Sequence, residues 1–221
     1  MTWVKICGMT NLEDALVAVD AGADAVGFVF YEKSPRCVSV ETAREIVAEL
    51  PSCVEKVGVF VNEPPERVSA IADDACLTAV QFHGDEYQNP ERYSIGGKLF
   101  FSFPVSEALR ELRGPIGSFT LPKFPKSSGI LLDSGTQAIR GGTGKTFAWG
   151  EARWLIQGLT RVHSVVIAGG LTPSNVAWAA EFLRPWGVDV ASGVEASPGK
   201  KDPEKLRAFV RAVREMDRRS G

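Results

Sequence analysis

Val4-Lys5-Ile6-Cys7, followed at once by Gly8-Met9-Thr10-Asn11, decides how this chain is read. An apolar run ends in a cysteine, glycine breaks it, and a helix restarts behind a polar cap. A thiol at such a handover is placed to meet a ligand rather than to fill a core. The same handover recurs down the chain. Strands are expected over Val4–Cys7, Asp24–Phe30, Lys56–Val61, Thr78–Phe82, Lys98–Phe103, Gly129–Asp133, Val165–Ala168 and Val188–Ala191. Helical periodicity fills the intervals at Asn11–Ala21, Val40–Leu50, Pro65–Asp73, Ser106–Arg113, Trp149–Leu159, Pro173–Leu183 and Pro203–Asp217.

Strands apolar along their whole length belong to a parallel sheet buried on both faces. Eight strand-and-helix units in 221 residues fit an α/β fold, a single (β/α)8 TIM barrel spanning residues 1–221 as one catalytic domain. A doubly wound open sheet is the rival, but no GxGxxG follows the first strand. Gly114–Gly129 is the one irregular stretch and reads as a loop replacing part of the helix layer.

Composition narrows the function. The chain is 44% hydrophobic and 24% charged with a net charge of −2, which offers no surface for nucleic acid or an anionic membrane. It begins MTWVKI without a basic, apolar leader, and no apolar run approaches the roughly 18 residues of a membrane span. A cytoplasmic protein is expected. Cys7, Cys37, Cys53 and Cys76 are scattered and, with only His83 and His163, form no metal-ligand spacing.

In this barrel the active site lies at the C-terminal ends of the strands. Those ends carry Cys7, Arg36 in Ser34-Pro35-Arg36, Asn62, His83, Asp133, Gly169-Gly170 and Ser192-Gly193. Glycine-rich turns at 141–146, 168–172 and 191–195 let backbone N–H groups approach an anion, and the last two follow strands seven and eight, the usual phosphate site. A small phosphorylated substrate follows. Gly-Gly-Thr-Gly-Lys-Thr is not a P-loop, because that motif needs glycine at Ile139.

Cys7 and Asp133 are the candidate acid/base pair. A buried cysteine more often serves as a small hydrophobe, and Asp133 could be a turn cap. An ionised carboxylate after Ile-Leu-Leu is nevertheless costly to bury without a partner. His83 also reads as a turn former, His163 precedes strand seven on the wrong face, and Arg36 is a natural carboxylate clamp. The arginines at 207, 211, 214 and 218 read as a solvated helix face.

Taken together, KICGMT, SPRCVS, GVFVN, QFHGDE, LLDS, GGTGKTF, IAGGLTPSNV and GVDVASGVE resemble, in that order, the phosphoribosylanthranilate isomerase family of tryptophan biosynthesis. The resemblance runs from Lys5 to about Asp202. It implies a cofactor-free and metal-free barrel that converts N-(5-phosphoribosyl)anthranilate to 1-(2-carboxyphenylamino)-1-deoxyribulose 5-phosphate by an Amadori rearrangement. By motif, Cys7 would be the general base, with a lowered pKa, and Asp133 the general acid, with a raised one. Arg36 would hold the anthranilate carboxylate and His83 would also meet substrate. Backbone around Gly144, Gly169, Gly170, Ser192 and Gly193 would cradle the phosphate. The only partner implied is the small-molecule substrate, taken by a monomer or homodimer.

The chain departs from the family at Ala148, where an aspartate is frequent, and at Cys37, where an aromatic is common. Three rivals remain: another phosphosugar isomerase, a Schiff-base aldolase using Lys56 or Lys98, and a barrel that binds a phosphometabolite without turnover. An aspartate pair would suit the first, and both lysines lie near strand starts.

Overall fold

Each run that the pattern marks as a strand pairs in parallel with the next, and the eighth pairs back onto the first. The computed structural model describes residues 1–84, 96–112, 128–134 and 149–220. In chain order the first half reads β1 (Trp3–Cys7), α1 (Leu12–Asp20), β2 (Ala25–Val29), α2 (Val40–Ala48), β3 (Glu55–Val61), α3 (Pro65–Asp74), β4 (Ala79–His83) and β5 (Lys98–Pro104). The second half reads α4 (Val105–Leu112), β6 (Gly129–Asp133), α5 (Trp149–Leu159), β7 (Ser164–Ile167), α6 (Val176–Leu183), β8 (Gly187–Val190), β9 (Glu195–Ser197), β10 (Lys200–Lys201) and α7 (Pro203–Ser220). The result is a closed eight-stranded barrel with helices outside it. Most of the irregular stretch at 114–129 falls outside the described residues.

Successive strand residues face opposite sides of the sheet, so each strand feeds two cores. Outward residues such as Val4, Ile6, Phe28, Phe60, Phe82 and Phe101 pack against the helices. Phe82 and Phe101 stack with centroids 5.4 Å apart. Each such fully buried side chain contributes about 1.5–3 kcal/mol.

The interior is layered. Ala25, Val57, Ala79, Phe100, Leu131 and Val166 fill the end near the strand starts, with Trp3 and Trp186 against them. Cys7, Val29 and Val59 form a layer at the strand ends. Between them sit Lys5, Gln81 and Asp189, all buried. Trp3, Lys5 and Cys7 therefore climb one wall of the barrel through an apolar, a polar and a functional level.

Local chemistry starts the helices. Asn11 accepts from the Asp14 amide at 2.8 Å, and Ser39 accepts from the Thr42 amide at 3.1 Å, capping α1 and α2. Pro65 opens α3, where its missing N–H costs nothing. Helix α6 begins at Val176 rather than Pro173, because Asn175 folds the preceding residues into a turn. Its Oδ1 accepts from the Thr172 amide and its Nδ2 donates to the Gly170 carbonyl.

Helix α7 corrects a second expectation. Arg207, Arg211 and Arg218 are exposed, but Arg214 is not simply solvated. It donates to the Thr2 carbonyl at 2.6 Å and to Asp24 Oδ2 at 2.7 Å, fastening the last helix to the residues that lead into β1 and β2. No helix among the described residues is long and apolar enough to cross a membrane.

Candidate active site

Cys7 ends β1, His83 ends β4 and Asp133 ends β6, so the barrel brings all three to one mouth. They line a cavity of about 230 Å³ together with Arg36, Gln81 and Asp189. A smaller recess adjoins it through Asp133, Asp189 and Ala191. Its walls are Gly169 and Gly170 after β7 and Ser192 and Gly193 after β8. Ser192–Val194 is one turn of 3-10 helix, whose leading N–H groups have no carbonyl of their own turn to meet. Gly144 and the rest of the 141–146 turn lie outside the described residues, as does Ala148. Cys37 pairs its backbone with Val29 and does not line the cavity.

Gly169 makes the junction between cavity and recess possible. Its φ of +86° is open to glycine, and a Cβ there would lie 2.7 Å from Asp133 Oδ1 and overlap Ser134 Oγ. A bare backbone at this position lets the carboxyl group sit over the recess.

The cavity floor is a polar network that the strand pattern concealed. Lys5 Nζ donates to Asp189 Oδ1 at 2.7 Å and to Gln81 Oε1 at 2.8 Å. Because an ammonium only donates, Gln81 must turn its oxygen to Lys5 and its NH2 to His83 Nε2, 2.6 Å away. That nitrogen is therefore an acceptor, which makes His83 neutral with its proton on Nδ1.

Charge at the mouth is set by contact. Burial pushes the Cys7 thiol above its ordinary range, and the neighbouring Lys5 and Lys201 only partly offset this. The lowered pKa expected from the start of α1 is thus reversed, since Asn11 already satisfies that helix end and Cys7 is buried. Burial also acts against the Lys5 ammonium, but Asp189 and Cys7 outweigh it and raise its pKa.

Arg36 is held from behind. Glu195 accepts from its Nε and Nη2, each at 2.7 Å, and this hydrogen bond raises the guanidinium pKa further. Lys201 Nζ reaches Glu195 Oε1 at 3.1 Å and the Cys7 carbonyl at 2.6 Å. The short hairpin β9–β10 thereby ties the arginine to the cysteine backbone.

Lys5, Gln81, Asp189, Glu195 and Lys201 were given no role from the sequence, although Gln81 lies in QFHGDE and Glu195 in the turn at 191–195. Two signals pointed to the first and third: Lys5 shares a face with Cys7, and Asp189 is a carboxylate inside an apolar strand. The Ser197-Pro198-Gly199 turn was the signal for the hairpin. Lys56 and Lys98 lie away from the mouth, with Lys56 Nζ on the Pro51 carbonyl and Lys98 Nζ 3.9 Å from the Trp186 ring centre. No lysine at either position is available to a substrate carbonyl in the cavity.

A closed barrel with titratable side chains converging at the strand ends defines a (β/α)8-barrel enzyme. The family model for N-(5'phosphoribosyl)anthranilate (PRA) isomerase matches residues 4–212. The chain belongs to the phosphoribosylanthranilate isomerase family. It is 46% identical over 215 residues to the N-(5'-phosphoribosyl)anthranilate isomerase of Trichlorobacter lovleyi, covering 97% of this chain and 99% of the relative. The crystal structure of the Thermotoga maritima enzyme superimposes with a TM-score of 0.82 at 41% identity, covering 97% of this chain and 100% of that chain. A second solved isomerase, in complex with reduced 1-(o-carboxyphenylamino)-1-deoxyribulose 5-phosphate, gives a TM-score of 0.78 at 39% identity over the same shares.

Proposed function

We propose that Cys7 and Asp133 are the base and the acid of the isomerase reaction of tryptophan biosynthesis that this family carries out. The observation that carries this reading is their convergence on one cavity, from strands three apart round the barrel, with a glycine-walled recess adjoining it. The substrate phosphate lies in that recess, on the N–H groups of Gly169, Gly170, Ser192 and Gly193. The anthranilate carboxylate lies on the face of Arg36 that Glu195 leaves open, and His83 borders the sugar.

The chemistry then needs two proton movements. Asp133, as the neutral acid, protonates the furanose ring oxygen, and the C1–O bond breaks to leave an iminium ion. Cys7, as the thiolate, takes the proton from C2, giving the enolamine. The pair finishes as carboxylate and thiol. Ketonisation restores both, because one proton is added at C1 and one leaves the C2 hydroxyl. A thiol base suits a carbon acid made this acidic by the adjacent iminium.

The other phosphosugar isomerases and the aldolase are not favoured: Cys7 stands where an aspartate pair would need a carboxylate, and neither Lys56 nor Lys98 faces the mouth. The enzyme works as one barrel domain in the cytoplasm, as a monomer or homodimer. The test is loss of substrate fluorescence on incubation with the wild-type chain and Asp133→Asn. Turnover by the wild type and a loss of about 10²–10⁴-fold in the variant are expected. Binding of the substrate without turnover by the wild type would overturn the reading.

A further inference from the structure

Lys5 lies beneath the cavity, 1% exposed and two residues before Cys7 on the inner wall of β1. Its ammonium meets Asp189 and Gln81 at 2.7 and 2.8 Å, and the Cys7 side chain lies next to it on the same inner wall. The two side chains share the space left by Gly27, where a Cβ would lie 2.9 Å from Cys7 Sγ and 3.1 Å from Lys5 Cε. An ammonium has no acceptor of its own, so the sulfur at this site can only accept. A thiolate accepts far better than a thiol.

We propose that Lys5 is a positioning residue of the isomerase, a buried ammonium that holds the Cys7 sulfur in its proton-accepting form during turnover. The inference rests on Cys7 being the base. Among the described residues, the other cations near Cys7 share the Glu195 carboxylate, and the Asp189 carboxylate opposes a thiolate. Asp133 and Asp189 are carboxyl groups lining the same cavity. Lys201 and Arg36 are both bound to Glu195, and Lys201 addresses the Cys7 carbonyl. His83 is a neutral acceptor. The substrate adds a carboxylate and a phosphate to this mouth, both of which oppose a thiolate. A buried cation beside the sulfur offsets them, and Lys5 is that cation.

The arrangement also explains why the floor of an otherwise apolar barrel is polar. Asp189 keeps Lys5 charged, and Asp189 and Gln81 together fix two of its three N–H directions. Asp189 accordingly acts through Lys5 as well as lining the cavity.

The experiment reads Cys7 ionisation directly, by ultraviolet thiolate absorbance against pH, each protein being subtracted by its Cys7→Ser counterpart. Wild type, Lys5→Met and the double variant Lys5→Met/Asp189→Asn are compared, and the double variant removes both buried charges together so that the barrel still folds. Lys5→Met is expected to move the Cys7 midpoint to higher pH by about one unit or more, a tenfold or greater loss of thiolate at a given pH. The double variant is expected to stay shifted, with kcat reduced and KM retained. A wild-type midpoint in the double variant would overturn the proposal, because Lys5 would then only neutralise Asp189. Cys7→Ser turning over normally would instead remove the base assignment, while leaving the ionisation result to stand on its own.

Discussion

Glu195 grips Arg36 through both carboxylate oxygens, Oε1 accepting from Nε and Oε2 from Nη2, each at 2.7 Å. This bidentate geometry fixes the plane of the guanidinium and leaves Nη1 and the far N–H of Nη2 for a second carboxylate. The substrate supplies one. Glu195→Gln keeps the shape and removes the charge, so Arg36 loses its orientation while the acid and base stay in place. KM should rise about tenfold with little change in kcat, measured by steady-state fluorescence.

The same pair sets an acid limit on stability. Burial would raise the Glu195 pKa, but the Arg36 hydrogen bond and the Lys201 charge outweigh it and hold the carboxyl below its ordinary value of 4.5. A lowered folded pKa means that the contribution is present above the unfolded value and is lost as pH falls through the folded one. Unfolding free energy should therefore decline as pH drops below 4.5. Chemical denaturation at a series of acid pH values should find that decline shallower in Glu195→Gln.

Gly169→Ala tests the junction between cavity and recess. A methyl group 2.7 Å from Asp133 Oδ1, on a backbone with φ of +86°, moves either the acid or the recess wall. Misplacing a catalytic group by about 1 Å costs on the order of 10²-fold. We expect a folded protein by circular dichroism, a loss of kcat of that order, and weaker binding of inorganic phosphate by calorimetry.

The opposite end of the barrel should behave differently. Lys98 Nζ sits 3.9 Å from the Trp186 ring centre and 4.0 Å from Glu55 Oε1, near the strand starts. Lys98→Met removes a cation–π contact and leaves the half-buried Glu55 without its charge partner. Stability should fall by about 1–2 kcal/mol with kcat and KM unchanged. Thermal unfolding beside steady-state kinetics checks this separation of a folding end from a working end.

Much of this molecule was legible as residue pattern. Asp24–Phe30 and Gly129–Asp133 announce themselves because parallel strands covered on both faces are apolar at every position. The mouth followed from the rule that strand ends carry the site, which placed Cys7, His83 and Asp133 together. Lys5 shares a face with Cys7 in the sequence, but its role was not legible until the barrel closes and Asp189, 184 positions later, arrives beside it. Glu195 and Lys201 were missed for a related reason. Their hairpin is too short for periodicity to register, and its importance lies in Arg36, which comes from the other end of the chain. The Cys7 pKa was expected with the wrong sign because a helix start is visible in sequence, whereas the extent of burial is not.

The base assignment for Cys7 is the centre of the account. Its most direct test is the steady-state turnover of N-(5'-phosphoribosyl)anthranilate by Cys7→Ser, a variant that keeps the size of the side chain but loses the acidity of the thiol. A kcat lower by about a thousandfold with KM retained is expected. Turnover at the wild-type rate would contradict it.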